Sequence, residues 1–254
     1  MCAVLTENCF DLMLNSILTV RRRMRDVIVV AIRELPMNVA PPLRDNEKDN
    51  RLPATVAAVV LAAGKASRMG ESGPHKLLAE FDGEPLVRRV AKTALAADVD
   101  SVIVLTGHRR NEVEAALLGL EVTIVYNPGY ASGMASSLIS GYSSVVARDA
   151  NGVLVMLADM PAVTVDDLDA LISSFRVASG KAIVRAVSRG KRGNPVILPR
   201  SLGEAVMRLE GDVGARHLIE ASGIPVIDVD IGDAAHLDVD TPEAVIAAGG
   251  ILIG

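Results

Sequence analysis

From Thr55 onward, short apolar runs alternate with amphipathic segments, and this alternation restricts the fold more than any other feature of the chain. Runs at 56–62, 101–106, 121–126, 152–157 and 181–187 read as strands, with "PVILP" (Pro195–Pro199) and 225–230 as shorter ones. Helical segments are predicted at 84–97, 109–118, 132–147, 165–178, 201–209, 213–221 and 242–249, with a tight turn at Asp82-Gly83 just ahead of the first. Parallel neighbours need a crossover long enough to hold a helix, so this order predicts an α/β protein. The expected form is a three-layer α/β/α sandwich around a mostly parallel sheet with right-handed connections. Half the residues are hydrophobic but only 2% are aromatic and none is Trp, so the core must be aliphatic, as in strands buried on both faces.

The composition changes ahead of that region. Residues 36–53, "PMNVAPPLRDNEKDNRLP", carry Pro, Asn and charge without an apolar period and read as a linker. Residues 1–35 form an N-terminal appendage, with helical patterning after residue 9, and 54–254 form the main domain. "DVIVVAI" (Asp26–Ile32) follows the basic "RRRMR", but it is far shorter than the ~20 residues that a membrane helix needs. Cys2 and Cys9 are the two cysteines, so no disulfide framework holds the rest of the chain. A net charge of −5 offers no global positive field for nucleic acid. The expectation is a soluble, cytoplasmic protein with no nucleic-acid or membrane partner.

In sheets of this kind, ligands bind beyond the carboxyl ends of the strands. The loop after Leu61 is "LAAGKASRMG" (Leu61–Gly70), in which Gly64 and Gly70 stand six apart, unlike the G-x-G-x-x-G of dinucleotide binders. It also lacks the G-K-[ST] ending of a P-loop. Gly64 allows a sharp turn and close backbone approach, and successive N–H groups in such a loop can hold an anion. Lys65, Arg68 and Lys76, the last in "GPHKLL", place three cations within twelve residues, which suits a triphosphate; by charge alone, a basic surface loop is equally compatible.

"VLVMLADMP" (Val153–Pro161) sets Asp159 just past a strand, where a carboxylate either caps the next segment or binds something. In "HLDVDTPE" (His236–Glu243), Asp238 and Asp240 alternate and would share one face of an extended segment. Thr241-Pro242-Glu243 reads as a helix start with a cap and a proline at its first position, and Asp240 alone could equally belong to that cap. Mg²⁺ is a hard cation commonly held by one or two carboxylates together with substrate phosphates.

"LAAGKASRMG" with "HKLL", then "LADMP", "GNPVILP", "GDVGAR" and "DVDTPE", in that order, resembles the molybdenum cofactor nucleotidyltransferase family, and within it the cytidylyltransferase branch. The resemblance covers roughly residues 54–249, and the first motif alone is shared by many nucleotidyltransferases. It implies the Rossmann-like, GT-A-like form of the three-layer sandwich. It places Ala62, Ala63 and Gly64 against the nucleobase, Leu61 on the nucleotide side, and Lys65, Arg68 and Lys76 on the triphosphate. Asp159 and Asp240 would coordinate Mg²⁺, with Lys76, Arg68 and Asp159 carrying catalysis. Gly107, Ser136 and Ser137 would complete the nucleotide side, the serines lying in "GYASGMASSL" (Gly129–Leu138) at a helix N-terminus. Asn194, Pro195, Gly211, Asp212 and Arg216 would form the pterin-facing side, and Asp212 would also serve as a helix cap. Two positions depart from the family pattern: His75 stands where Asn or Pro is expected, and Ala135 replaces a hydroxyl residue.

The implied reaction is attack by a terminal phosphate of molybdopterin, or of the molybdenum cofactor, on the α-phosphate of CTP, with a molybdoenzyme as a further partner that receives the product. A phosphate nucleophile is already anionic, so none of His75, His108, His217 or His236 is assigned a catalytic role. Guanylyl transfer to the same cofactor is a close alternative, though Ala63 stands where the guanylyl branch has Gly. Cytidylyl or uridylyl transfer to a sugar or isoprenoid phosphate is another. A nucleotide-binding sensor or partner module is the non-enzymatic one.

Overall fold

The computed structural model describes residues 52–69, 73–146, 149–211 and 214–253. The predicted appendage (1–35) and the linker (36–53), except its last two residues, lie outside them. Among the described residues, no helix is long and apolar enough to cross a membrane.

Strand β1 (Val56–Ala62) is apolar throughout and lies inside the sheet, with a strand on each side. Around it stand β4 (Ser101–Thr106), β5 (Thr123–Tyr126), β6 (Gly152–Leu157), β7 (Ile183–Ser188), β8 (Lys191–Pro199) and β9 (Val226–Asp230). The seven strands run in the order β5-β4-β1-β6-β8-β7-β9. β1 pairs in parallel with β4 and β6, β4 with β5, and β7 with β9.

Because successive side chains on a strand face opposite ways, β1 feeds two cores. Ala58, Val60 and Ala62 pack on one face under α1 (Leu86–Ala96), α2 (Arg110–Ala116), α4 (Val165–Val177) and α7 (Pro242–Ala247). Ala57 and Val59 pack on the other, under α3 (Met134–Val146), α5 (Gly203–Val206) and α6 (Ala215–Ala221). The result is a three-layer α/β/α sandwich with a mostly parallel sheet, and β1, β4 and β6 match the expected strand limits residue for residue.

Several local features differ from the sequence reading; the helix expected at 201–209 is α-helical only over Gly203–Val206, after a 3₁₀ turn at Arg200–Leu202. The segment expected to begin a helix at residue 84 first forms a small hairpin, β2 (Glu80–Phe81) with β3 (Glu84–Pro85), turned by Asp82 and Gly83 at φ of 54° and 77°. The "PVILP" strand is the end of a longer β8, antiparallel to both β6 and β7. Arg189 and Gly190, at φ of 51° and 75°, reverse the chain directly after β7. A connection of that length leaves no room for a crossover, so β8 must return antiparallel.

Candidate active site

The carboxyl ends of β1, β4 and β6 open on one side of the sheet. The loop after β1 is drawn against the loop after β4 by a hydrogen bond from His108 N to Ala63 O (3.1 Å). Gly107 permits that approach, since a Cβ on it would lie 2.7 Å from both Ala63 O and Tyr130 Cβ. His75 starts a 3₁₀ turn at Lys76–Leu78, its Nδ1 accepting from Leu77 N at 3.4 Å. Lys76, the first residue of that turn, donates from Nζ to Asp159 Oδ2 and to Asp240 Oδ1, each at 2.5 Å. Arg68 pairs with the other oxygen of Asp240. The two carboxylate segments are themselves joined by Val239 N to Asp159 O (3.0 Å).

Asp240 stands outside the helix cap: Thr241 caps α7 by accepting from Ala244 N (3.2 Å), with Pro242 as the first helical residue. Burial by itself lowers the pKa of Lys76, but the charges and hydrogen bonds of Asp159 and Asp240 outweigh it, so the ammonium form is held more firmly than usual. Burial opposes ionisation of Asp240, yet Lys76 and Arg68 hold its carboxyl below the usual range. Asp238 is pushed the other way, first by burial and then by the charges of Asp159 and Asp240.

The donor set fits a hard divalent cation. Asp159 Oδ1 is buried with no hydrogen-bond partner, and Asp159 and Asp240 are brought together on one ammonium group. Among the described residues, no group of three or more His, Cys, Asp or Glu side chains is gathered as a ready metal cage. Such a cation would therefore need substrate oxygens to complete its coordination, which is usual for Mg²⁺.

Lys76, Asp159 and Asp240 line one cavity, and a second adjoins it. One, of about 690 Å³, is lined by Leu61, Ala63, Gly64, Lys65, Lys76, Ser137, Asp159 and Asp240. The other, of about 670 Å³, is lined by Asn194, Arg216, Arg185, Arg192 and His236 over an apolar floor that includes Leu157, Met160 and Val196. Met134, Leu157 and Asp238 belong to both, so Asp238 stands at their junction.

Other predicted site residues take structural places. Ala62 packs into the core beneath β1. The Ser136 hydroxyl shares its one proton between Gly129 O and Gly133 O (2.9 Å each) and accepts from Asn127 Nδ2, which holds the loop ahead of α3. Gly107 sets the loop spacing described above. Gly211 accepts from Ala135 N through its carbonyl (3.2 Å). Pro195 lies in β8 beside Asn194. Asp212 lies outside the described residues; the N-cap of α6 is Gly214, which makes no side-chain cap bond. Tyr130, Ser67 and Met134 also line the nucleotide-side cavity; they stand inside the quoted motifs but were not singled out as site residues. Asp238 was visible only as the alternate partner of Asp240.

A mostly parallel sheet with its cations and carboxylates gathered at the carboxyl ends of β1 and β6 defines the α/β nucleotidyltransferase class of fold. The family model of the MobA-like NTP transferase domain matches residues 58–226, and the chain belongs to that family. It is 33% identical over 203 residues to the nicotine blue oxidoreductase of Paenarthrobacter nicotinovorans, covering 77% of this chain and 96% of that one. It is 30% identical over 198 residues to the purine catabolism protein PucB of Bacillus subtilis, covering 73% and 91%. Among solved structures, it superposes on a homologue of Mycobacterium tuberculosis Rv0371c from Mycobacterium sp. strain JC1. The TM-score is 0.66 at 29% identity, with 78% of this chain and 96% of that one covered. Rv0371c of M. tuberculosis, solved as a manganese complex, matches at a TM-score of 0.59 and 25% identity over 76% and 97% of the two chains.

Proposed function

We propose that this protein transfers CMP from CTP to the terminal phosphate of molybdopterin, or of the molybdenum cofactor, and releases pyrophosphate. The observation that carries the reading is Lys76 joined to both Asp159 and Asp240 in the wall of the nucleotide-side cavity, which shares Met134, Leu157 and Asp238 with a second cavity. A sensor that only bound a nucleotide would not need both carboxylates converging on a cation site next to a second cavity.

In this reading the nucleotide occupies the cavity of Ala63, Gly64 and Lys65, and the pterin occupies the cavity of Asn194 and Arg216. An oxygen of the acceptor phosphate forms a bond to the α-phosphorus, while the bond from that phosphorus to the bridging oxygen of pyrophosphate breaks. Lys65, Arg68 and Lys76 hold the triphosphate and neutralise charge that builds on the leaving group. Asp159 and Asp240 would hold Mg²⁺, which supplies further charge neutralisation and alignment of the phosphates when bound. The manganese complex of Rv0371c supports divalent-cation use within this group. Arg192 and Arg216 both pair with Glu220 beside the acceptor cavity and are available to an anionic substituent. The cytidylylated product would pass to a recipient molybdoenzyme.

The test is an acceptor screen on the purified full chain, with pyrophosphate release and product mass as readouts. CTP and GTP are compared against molybdopterin, its molybdenum form, and sugar and isoprenoid phosphates. A dinucleotide formed from CTP and the pterin is the expected product. Turnover confined to sugar or isoprenoid phosphates would replace the acceptor. No pyrophosphate with any acceptor, together with oxidation or reduction of nicotine blue, would favour the activity named in the P. nicotinovorans relative.

A further inference from the structure

A smaller concavity of about 430 Å³ adjoins the nucleotide-side cavity through the loop that follows β1. Lys65, Ser67 and Tyr130 line both, and His75, His108 and Arg109 line the smaller one alone. The nucleotidyl-transfer reading assigns no role to those last three residues.

His75 is 4% exposed. Its Nδ1 accepts from Leu77 N, which puts the ring proton of the neutral imidazole on Nε2. That Nε2 is buried and has no hydrogen-bond partner, and the same is true of His108 Nδ1. The two rings stack with centroids 5.6 Å apart. Buried polar atoms without partners are rare in folded proteins, and two on adjoining rings beside a cavity point to a ligand.

The field there is positive. Burial, followed by the charges of Arg109, His108 and Lys76, drives His75 down to a pKa of about 4, and Glu112 opposes this only in part. The ring is therefore a neutral N–H donor among cations. Arg109, at φ of 49°, is set by Glu112 and donates to Gly73 O (3.5 Å). Among the described residues, no carboxylate lines the cavity.

We propose that this concavity is a binding subsite for a phosphate-type oxyanion, built from His75, His108, Arg109 and Lys65. Its occupant is either the leaving pyrophosphate or free inorganic phosphate. The first source rests on the nucleotidyl-transfer reading; the subsite itself does not. Lys65, which faces both cavities, is placed to pass an anion from one to the other.

The test titrates pyrophosphate, and separately phosphate, into the full chain without nucleotide, read by calorimetry and by ¹⁵N imidazole NMR. The His75 Nε2 and His108 Nδ1 signals shift on binding. Arg109→Gln and His108→Ala each weaken pyrophosphate binding about tenfold, the order expected for a lost charge-assisted donor, and leave CTP binding within about twofold. Preference for pyrophosphate identifies the leaving group as occupant; equal or better binding of phosphate identifies the free ion. No imidazole shift with either anion, or unchanged pyrophosphate affinity in both variants at wild-type melting temperature, overturns the proposal. A chain that transfers no nucleotide but still loses pyrophosphate binding in both variants keeps the subsite and loses the transferase reading.

Discussion

Lys76 Nζ lies 2.5 Å from Asp159 Oδ2 and 2.5 Å from Asp240 Oδ1, partners 83 and 164 positions away along the chain. Three loops from three parts of the sequence are thus tied at one ammonium group. Lys76 and Asp159 side chains are 12% and 15% exposed, so water screens this pair less than it would a surface pair.

Asp159→Ala removes one carboxylate of the proposed cation site and leaves Lys76 with a single partner. The expected result is a fall in kcat/KM of about 100-fold or more, the scale seen when one charge-stabilising group is lost from an active site. Mn²⁺ binding, followed by electron paramagnetic resonance, should weaken in parallel. A near-native rate of pyrophosphate release removes Asp159 from the chemistry.

Gly107→Ala places a methyl group 2.7 Å from Ala63 O and from Tyr130 Cβ, both anchored in the loops that frame the nucleotide cavity. Overpacking of this kind costs about 1–3 kcal/mol. For a domain of this size, each kcal/mol lowers the melting temperature by roughly 2–4 °C. An unchanged melting temperature together with unchanged CTP binding contradicts the close approach.

Burial and the nearby cations put the folded-state pKa of His75 at about 4, below the usual histidine value of 6.5. The unfolded chain then binds more protons than the folded one between those values. The stability linked to neutral His75 is complete above pH 6.5 and is lost as the pH falls toward 4. Its slope is at most about 1.4 kcal/mol per pH unit. His75→Asn keeps a capping side chain but removes the titration. Its melting temperature should therefore drop less than that of the wild type between pH 7 and pH 5; equal drops rule out the linkage.

Ala63 is buried at the edge of the nucleotide-side cavity. If it restricts the base, Ala63→Gly should raise GTP turnover relative to CTP. A contact of about one methyl group is worth roughly 1–3 kcal/mol, so a tenfold change in the CTP/GTP ratio of kcat/KM is the expected order. A ratio that stays constant assigns base choice to other residues.

The limits of β1, β4 and β6 were legible in the sequence because strands buried on both faces must be apolar along their whole length. Their carboxyl ends located the loops of Gly64 and Asp159 by a rule of sheet topology. The helix start at Thr241-Pro242 was legible for a local reason, since cap and proline act within one turn. The direction of β8 was not, because it depends on the Arg189-Gly190 reversal and on which strand edges remain free.

The sequence by itself determined the layered α/β class and marked Lys65, Arg68, Lys76, Asp159 and Asp240 as residues with chemistry to perform. Only the tertiary structure decided which of them meet. It joined Lys76 to two carboxylates, moved Ala62 into the core and engaged the Ser136 hydroxyl within its own loop. It also stacked His75 on His108 beside a cavity, although neither had been assigned a catalytic role. Residue type and strand periodicity are local properties of the chain, whereas these contacts depend on how close distant loops come, and a Cβ-free Gly107 against Ala63 sets one of those distances.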